Sequence, residues 1–441
     1  MPLSDFLRRY PWAPMLFCTV IVALLFLIKG QSGWFPIFRH GMDLKPEQGN
    51  VAYVEAARWL DGHRSLVDGI TSDPMERPHD SAFHEGSAYN IFQPGQTIFF
   101  LLHFLIWNPA DGLPFFRLEL ALLTMAIVGI FGLVFYRGTG RRTLPAVLIL
   151  ATCFLGAPFL PSFFRAMEGS IYRINHLFVW LFTGLFFLVL QRGCQPRQLL
   201  LMGACVGAAM LFRLQTLLFL ALPALLLVQQ LAGNSWRLME PLQTAEGRRA
   251  LVRGAFLLGI FPLLAFTAVH AVNHVRFGNP LESGYALIYE GRDDYLALRV
   301  QQHGLLSPHF LAENLFRNFL STPALEFNGW KIVKLGGDDR GNGLLFTMPI
   351  LLLFLLFGGK AWRQPEFQAF ILCTALIASP ALLYHNPGFK AAGYARYTLD
   401  FLPFLMVLLA MGVRHEVGWK RFGLLAIPAT LWAVHYATGV L

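Results

Sequence analysis

Nine carboxylates lie between residues 30 and 95: Asp43, Glu47, Glu55, Asp61, Asp68, Asp73, Glu76, Asp80 and Glu85, accompanied by His63, His79 and His84. A carboxylate held within hydrogen-bond reach of a hydroxyl can take its proton and turn a poor nucleophile into a useful one. Most acids of a polar loop are simply solvated. Asp43 and Glu47 stand apart because they fall between the first long apolar run and a segment with helical spacing, Val51–Leu60, which places them close to a membrane surface. Arg213 is flanked on both sides by apolar runs. An ionisable residue in such a place is functional by default, although its stem could instead snorkel to an interface. Asp293-Asp294 and Asp338-Asp339 are adjacent pairs whose side chains diverge, and no Asp-x-Asp occurs in residues 30–95. Hard cations need several converging oxygens, so no obligatory metal and no cofactor is expected.

The elements that must position these residues are apolar. Of 441 residues, 55% are hydrophobic and only 14% charged, against roughly 25% charged residues in a soluble domain. Much of the surface therefore faces lipid, and 41 phenylalanines suit that setting. The formal charge of +9 could suggest nucleic acid as a partner, but the Lys and Arg residues sit in short clusters between apolar runs, the pattern that orients membrane proteins. Of the five cysteines, only Cys194 lies outside an apolar run, and no zinc-like or disulfide spacing appears.

Candidate spans are 12–29, 114–136, 144–162, 174–191, 198–212, 214–231, 252–275, 344–358, 366–384, 399–413 and 421–440, about eleven with lengths near the limit for a bilayer core. The first, led by Arg8 and Arg9, reads as a retained span because no small-x-small cleavage site follows Ile28. The pair 198–212 and 214–231 could be one broken element. Short basic connections such as Arg137–Arg142, Arg192–Arg197 and Lys360–Arg363 are expected on the cytoplasmic side. The longer, mixed-charge segments 30–95 and 276–343 then share the opposite side, provided that 96–108 dips into the bilayer without crossing. The organisation read from this is one transmembrane domain over 1–441 with a first outer loop, 30–95, forming interfacial helices, and a second large outer loop, 276–343. No internal repeat is visible, which argues against transporters built from repeated halves.

Several motifs then fall in order along the chain. Glu47-Gln-Gly-Asn50 with Tyr53 and Ala57 resembles the acidic segment opening the first outer loop of polyprenyl-phosphate-sugar glycosyltransferases of the GT-C class, the bacterial relatives of protein mannosyltransferases. That family usually has Asp where this chain has Glu47, which leaves Glu47 and Asp43 both open as the base. Tyr89-Asn90-Ile-Phe-Gln-Pro94-Gly95 resembles the family's Tyr-x-x-x-Pro-Pro-Gly closing segment, with Gln93 for the first Pro. Gly207 to Arg213 resembles a span ending in Thr-Arg-Pro, without the Pro. Asn273 to Tyr285, including Arg276-Phe-Gly-Asn-Pro-Leu, and Gly393-Tyr394-Ala-Arg396-Tyr-Thr-Leu-Asp400 followed by Pro403-Phe404 resemble two further blocks.

The resemblance implies an all-α, GT-C-like membrane bundle that moves a sugar from a polyprenyl-phosphate donor to a glycan, lipid or protein acceptor at the outer face of a bacterial cytoplasmic membrane. It implies Glu47 or Asp43 as base. Arg396, Arg213, Arg276, Tyr89, Asn90 and Tyr394 would bind the lipid phosphate and sugar, since arginine's fork matches phosphate oxygens. Plainer readings compete: Arg396 and Asp400, spaced i and i+4, could pair at a helix end, and Arg276 could anchor the end of a span. Three other functions compete as well: a catalytically silent scaffold of the same fold, a lipid-glycan transporter or flippase, and a ligase or acyltransferase using the same lipid chemistry.

Overall fold

Backbone in hydrocarbon must bond to itself, so the apolar runs become helices and their ends are set by Gly, Pro and Arg. The computed structural model describes residues 50–70, 81–156, 159–167, 169–290, 292–322, 342–357, 359–386, 396–415 and 419–440, the single residues Tyr10, Ala13 and Pro78, and the backbone of 324–328 and 331–336. The expected first span (save Ala13), Asp43, Glu47 and Tyr394 lie outside the described residues.

The helices are α1 (Val51–Leu60), α2 (Gly95–Phe104), α3 (Phe116–Gly138), α4 (Thr143–Leu155), α5 (Phe159–Met167), α6 (Ile171–Leu190), α7 (Pro196–Met210), α8 (Ala221–Leu231), α9 (Ala245–Phe277), α10 (Tyr295–His303), α11 (Pro365–Leu383), α12 (Leu402–His415) and α13 (Trp419–Val440). By length and composition, α3, α6, α9, α11 and the element Leu214–Leu231 can each cross a membrane. Two expected spans are not continuous helices. Residues 144–162 divide at Gly156 into α4 and α5, next to Pro158, whose ring disfavours helix in the residue before it. Residues 344–358 form a short helix, Leu344–Thr347, then a 3-10 segment, Pro349–Leu356, because Pro349 pushes Met348 out of helical geometry to φ −135°.

Helix α2 has ten residues, about 15 Å at 1.5 Å per residue, half of a hydrocarbon core of about 30 Å. It is too short to cross. The pair 198–212 and 214–231 is two elements: the chain turns at Leu211–Arg213, where Leu211 accepts a 2.7 Å bond from the Gly95 amide. A Cβ at Gly95 would lie 2.7 Å from that carbonyl, so the approach of α2 to the turn requires glycine. Helices α7 and α9 pack equally closely. A Cβ on Gly203 would sit 2.5 Å from the Leu258 carbonyl, and one on Gly207 2.8 Å from that of Phe261, the spacing of small residues that lets membrane helices meet backbone to backbone.

The connections segregate to the two ends of the bundle. At one end the basic links come together: Arg142 donates to the Val413 carbonyl, Gln191 to that of Val134, and Gln229 to that of Pro365. At the other end lie the turn at Arg213, residues 50–70 and 81–115, the start of α6, 278–290, 292–322, 384–386 and 396–400.

Residues 50–70 and 81–97 are tied down at this second end. Asn50 caps α1 by accepting from Ala52 and Tyr53 and donates its side-chain amide to the Gly169 carbonyl at 2.9 Å. A small antiparallel sheet follows, in strand order β1 (Val67–Asp68), β3 (Ser87–Asn90), β2 (Ser81–His84). The two-residue turn Glu85-Gly86 has φ of 49° and 78°, the double positive φ that a type I′ hairpin needs. On α1 the carboxylate of Glu55 is turned inward, while Arg58 stays partly exposed against Asp68. Glu55 and Arg276 are each 1% exposed and paired through two bonds, Nε to Oε1 at 2.7 Å and Nη2 to Oε2 at 2.6 Å. Asn90 and Thr97 also donate to Oε2, and Arg276 Nη1 donates to the Phe92 carbonyl at 2.7 Å. This clamp fixes α1 and the Asn90–Thr97 stretch onto the end of α9.

Breaking a buried pair by removing one partner leaves an uncompensated charge and costs about 3–5 kcal/mol. Arg276→Met is therefore expected to lower the melting temperature of the purified protein sharply in scanning fluorimetry, and adding Glu55→Gln should recover much of the loss. A melting temperature for Arg276→Met equal to that of Arg248→Met, at an exposed position of α9, would contradict this account of the clamp.

Candidate functional site

A cavity of about 940 Å³ opens at the end of the bundle that holds the clamp, between the 211–218 turn, the start of α6, residues 283–306, the end of α11 and the 3-10 turn Arg396–Asp400. Part of its wall is apolar, with Leu214, Leu217, Leu218, Ile288 and Leu305 among its members. The rest is polar and cationic. Arg213, Arg292 and Arg396 all line it, from three distant parts of the chain, with Asp400 as a facing acid.

Arg213 sits where α7 has ended, in extended backbone (φ −151°, ψ 105°). Its Nη2 donates to Asp400 Oδ2 at 2.7 Å, and the side-chain amide of Gln215 reaches the same oxygen at 3.2 Å. The other carboxylate oxygen, Oδ1, lies 3.3 Å from Nε2 of the buried His176. Arg396 does not pair with Asp400. The 3-10 turn has three residues per turn, so positions i and i+4 leave the common face that an α-helix would give them. Its guanidinium stacks over the ring of Tyr172 at 4.2 Å and donates to the Tyr397 hydroxyl at 3.1 Å, a cation–π arrangement suited to a partly dry site. Arg292 is held by Asp294 through its Nε at 2.6 Å.

Five tyrosines supply much of the remaining polar wall: Tyr172, Tyr285, Tyr289, Tyr384 and Tyr397. Burial, reinforced by Tyr397, pushes the Tyr289 hydroxyl well above its ordinary range, so it stays a neutral hydrogen-bonding group. It meets Nε2 of His385 at 2.8 Å, and burial lowers that imidazole to about 4, leaving it uncharged at neutral pH. An anion with an apolar tail fits such a cavity: arginines at one wall, neutral hydroxyls beside them and aliphatic side chains elsewhere.

Of the residues singled out in the sequence, Arg213 and Arg396 share this cavity. Arg276 and Asn90 belong to the Glu55 clamp and do not line it. Tyr89 packs against the rings of His84 and Phe277, with its centroid 5.6 Å from that of Phe277. Asp43, Glu47 and Tyr394 are outside the described residues. The tyrosine wall, Gln215 and the role of Asp400 toward Arg213 were not read from the sequence. The available signal was the i, i+4 spacing of Tyr172 and His176, which puts both on one face of α6. Among the described residues no cluster of three or more His, Cys, Asp or Glu side chains could hold a metal ion. Asp294 is spent in capping α10, through the Leu296 and Ala297 amides, and in holding Arg292.

No family model matches the chain, and no curated protein matches it in sequence. Solved structures do match. The oligosaccharyltransferase of Archaeoglobus fulgidus, in its apo form, aligns over 99% of this chain and 56% of its own with a TM-score of 0.53 at 15% identity. ArnT from Cupriavidus metallidurans, bound to undecaprenyl phosphate, aligns over 91% of this chain and 62% of its own at a TM-score of 0.42 and 14% identity. This chain thus spans less than two thirds of the length of either. With the helical bundle, the loops gathered at one end and this alignment over nearly its whole length, the chain has the GT-C fold of membrane glycosyltransferases.

Proposed function

We propose that the protein transfers a sugar from a polyprenyl-phosphate donor to an acceptor hydroxyl at the non-cytoplasmic face of a bacterial cytoplasmic membrane. The observation that carries this reading is the meeting of Arg213 and Arg396 on one cavity whose other wall is apolar. A phosphate monoester or diester on a long hydrocarbon chain matches both halves. Outside the cytoplasm the activated sugar must arrive on such a lipid, because nucleotide sugars are absent there. In the reaction the acceptor oxygen attacks the anomeric carbon while the bond from that carbon to the phosphate oxygen breaks, so a single displacement inverts the centre. The acceptor proton passes to Glu47 or Asp43, and the polyprenyl phosphate leaves with its charge held by the two arginines. No metal is required for this balance. The GT-C fold shared with an oligosaccharyltransferase supports the class of reaction and leaves sugar and acceptor open.

Charge-assisted bonds contribute about 1.5–3 kcal/mol each, so Arg396→Ala should weaken polyprenyl-phosphate binding or turnover roughly tenfold or more. Arg363→Ala, exposed at the opposite end of the bundle, should change neither. Equal effects from both would remove Arg396 from the site. One of Glu47→Gln and Asp43→Asn should abolish transfer yet keep donor-lipid binding, while Glu76→Gln stays close to wild type. Normal transfer by both upstream variants would place the base elsewhere. A wild-type protein that binds the lipid but transfers to no acceptor would favour a silent scaffold.

Sidedness is tested by single cysteines at exposed positions in a background without reactive thiols. His63→Cys and His303→Cys should both react with an impermeant reagent in intact cells, and Gln243→Cys and Gln364→Cys only after lysis. Reaction of the first two on opposite sides would refute the arrangement.

A further inference from the structure

His176 occupies a place that the proposed reaction does not yet use. It is buried on α6, behind the cavity wall, and its two ring nitrogens face oxygens. Nδ1 lies 2.6 Å from the carbonyl of Tyr172, and Nε2 lies 3.3 Å from Oδ1 of Asp400. A carbonyl oxygen and a carboxylate oxygen both accept. Either neutral tautomer of the ring therefore satisfies one contact and sets a bare lone pair against an acceptor at the other. Neither Nε2 nor Oδ1 has a hydrogen-bond partner among the described residues, each other included, so no neighbour relieves the conflict. One additional proton does. It completes the imidazolium, or it sits on Oδ1 and is donated to Nε2, while Oδ2 remains free to accept from Arg213 and Gln215.

Among the described residues, the charged groups around the ring are Arg213, Asp400 and, on its own helix, Arg173. Burial and the two arginines weigh against an imidazolium and the carboxylate for it; on either atom the proton gives the same sum of charges. Counting charges, an imidazolium, a carboxylate and a guanidinium give plus one, as do a neutral ring, a carboxylic acid and a guanidinium. Without that proton, the ion pair of Arg213 with Asp400 sums to zero and its field largely cancels in the cavity.

We propose that His176 and Asp400 hold one proton between them, which leaves the buried cluster His176–Asp400–Arg213 with a net positive charge toward the lipid phosphate and makes His176 a positioning residue acting through Asp400. This rests on the reading of the cavity as a lipid-phosphate site. The Nε of Arg213, buried and without a hydrogen-bond partner among the described residues, is consistent with a guanidinium that has donor capacity left beyond Asp400.

The test has two arms on the full-length protein in lipid nanodiscs. In the first, without lipid phosphate, nitrogen NMR of labelled histidines reads the ring of His176, assigned by its loss in His176→Gln. Infrared difference spectroscopy against Asp400→Asn reads the carboxyl. Near neutral pH, either a doubly protonated ring or a protonated carboxyl is expected. A neutral ring beside an ionised carboxylate overturns the proposal. In the second arm, polyprenyl phosphate binding is measured. His176→Gln can still donate to Asp400 but carries no extra proton, and should bind about tenfold more weakly, the scale of one unit charge at this range in a partly buried site. Adding Asp400→Asn restores the net charge through Arg213 alone and should return affinity to within about threefold of wild type. A structural role for His176 predicts no such rescue, and a double variant as weak as the single one counts against the proposal. If the wild type binds no polyprenyl phosphate, the reading of the cavity fails, while the spectroscopic arm still decides where the proton lies.

Discussion

The pairing of Glu55 with Arg276 is the constraint on which the rest of the loop end depends. Two full charges, separated by 221 positions in the chain, are taken almost completely out of water. Such a step costs several kcal/mol per ion after relaxation and is tolerable only when the charges are paired and further hydrogen-bonded. Here four side-chain donor contacts converge on the carboxylate, and the third guanidinium nitrogen bonds a backbone carbonyl. The pair therefore acts as a register pin. Residues 50–70 and 81–97 can dock on the bundle in only one way, which sets the position of Ile91–Gln93 in the cavity wall and of α2 against the turn at Arg213.

From that fixed frame the chemistry of the cavity follows. Arg213 is available only because α7 stops at Met210 and the chain turns before re-entering the bundle. A guanidinium inside a continuous helix at that depth would face lipid or a neighbouring helix. Asp400 holds it in place, and the 3-10 geometry of Arg396–Asp400 keeps Arg396 from competing for the same carboxylate. Two arginines with different supports, one ion-paired and one stacked on tyrosine, thus approach one space. Low polarisability around them makes each charge count for more than it would in water.

The sequence made the bundle legible because its signals are strong and local. Apolar runs and basic short links each record a requirement of a chain in lipid. Arg213 was conspicuous for the same reason, as a charge between apolar runs. What stayed hidden depends on distance or on local geometry. Glu55 looked like the polar face of an interfacial helix because its partner is on α9. Asp400 looked like a partner for Arg396 because i, i+4 spacing presumes an α-helix. The interruptions at Gly156 and Met348 were masked by hydropathy, which registers apolar content and ignores the effect of a proline on the residue before it. The tyrosine wall came from four separate segments, a convergence that no single stretch displays.

The central claim is that the cavity receives a lipid phosphate between Arg213 and Arg396. A cryo-electron microscopy structure of the protein in nanodiscs with added polyprenyl phosphate tests it most directly. The account predicts density for the phosphate within about 3 Å of guanidinium nitrogens of both arginines, with the hydrocarbon chain running along Leu214, Leu217 and Leu218. Phosphate density at the basic end of the bundle, or an occupied lipid whose phosphate touches neither arginine, would contradict it.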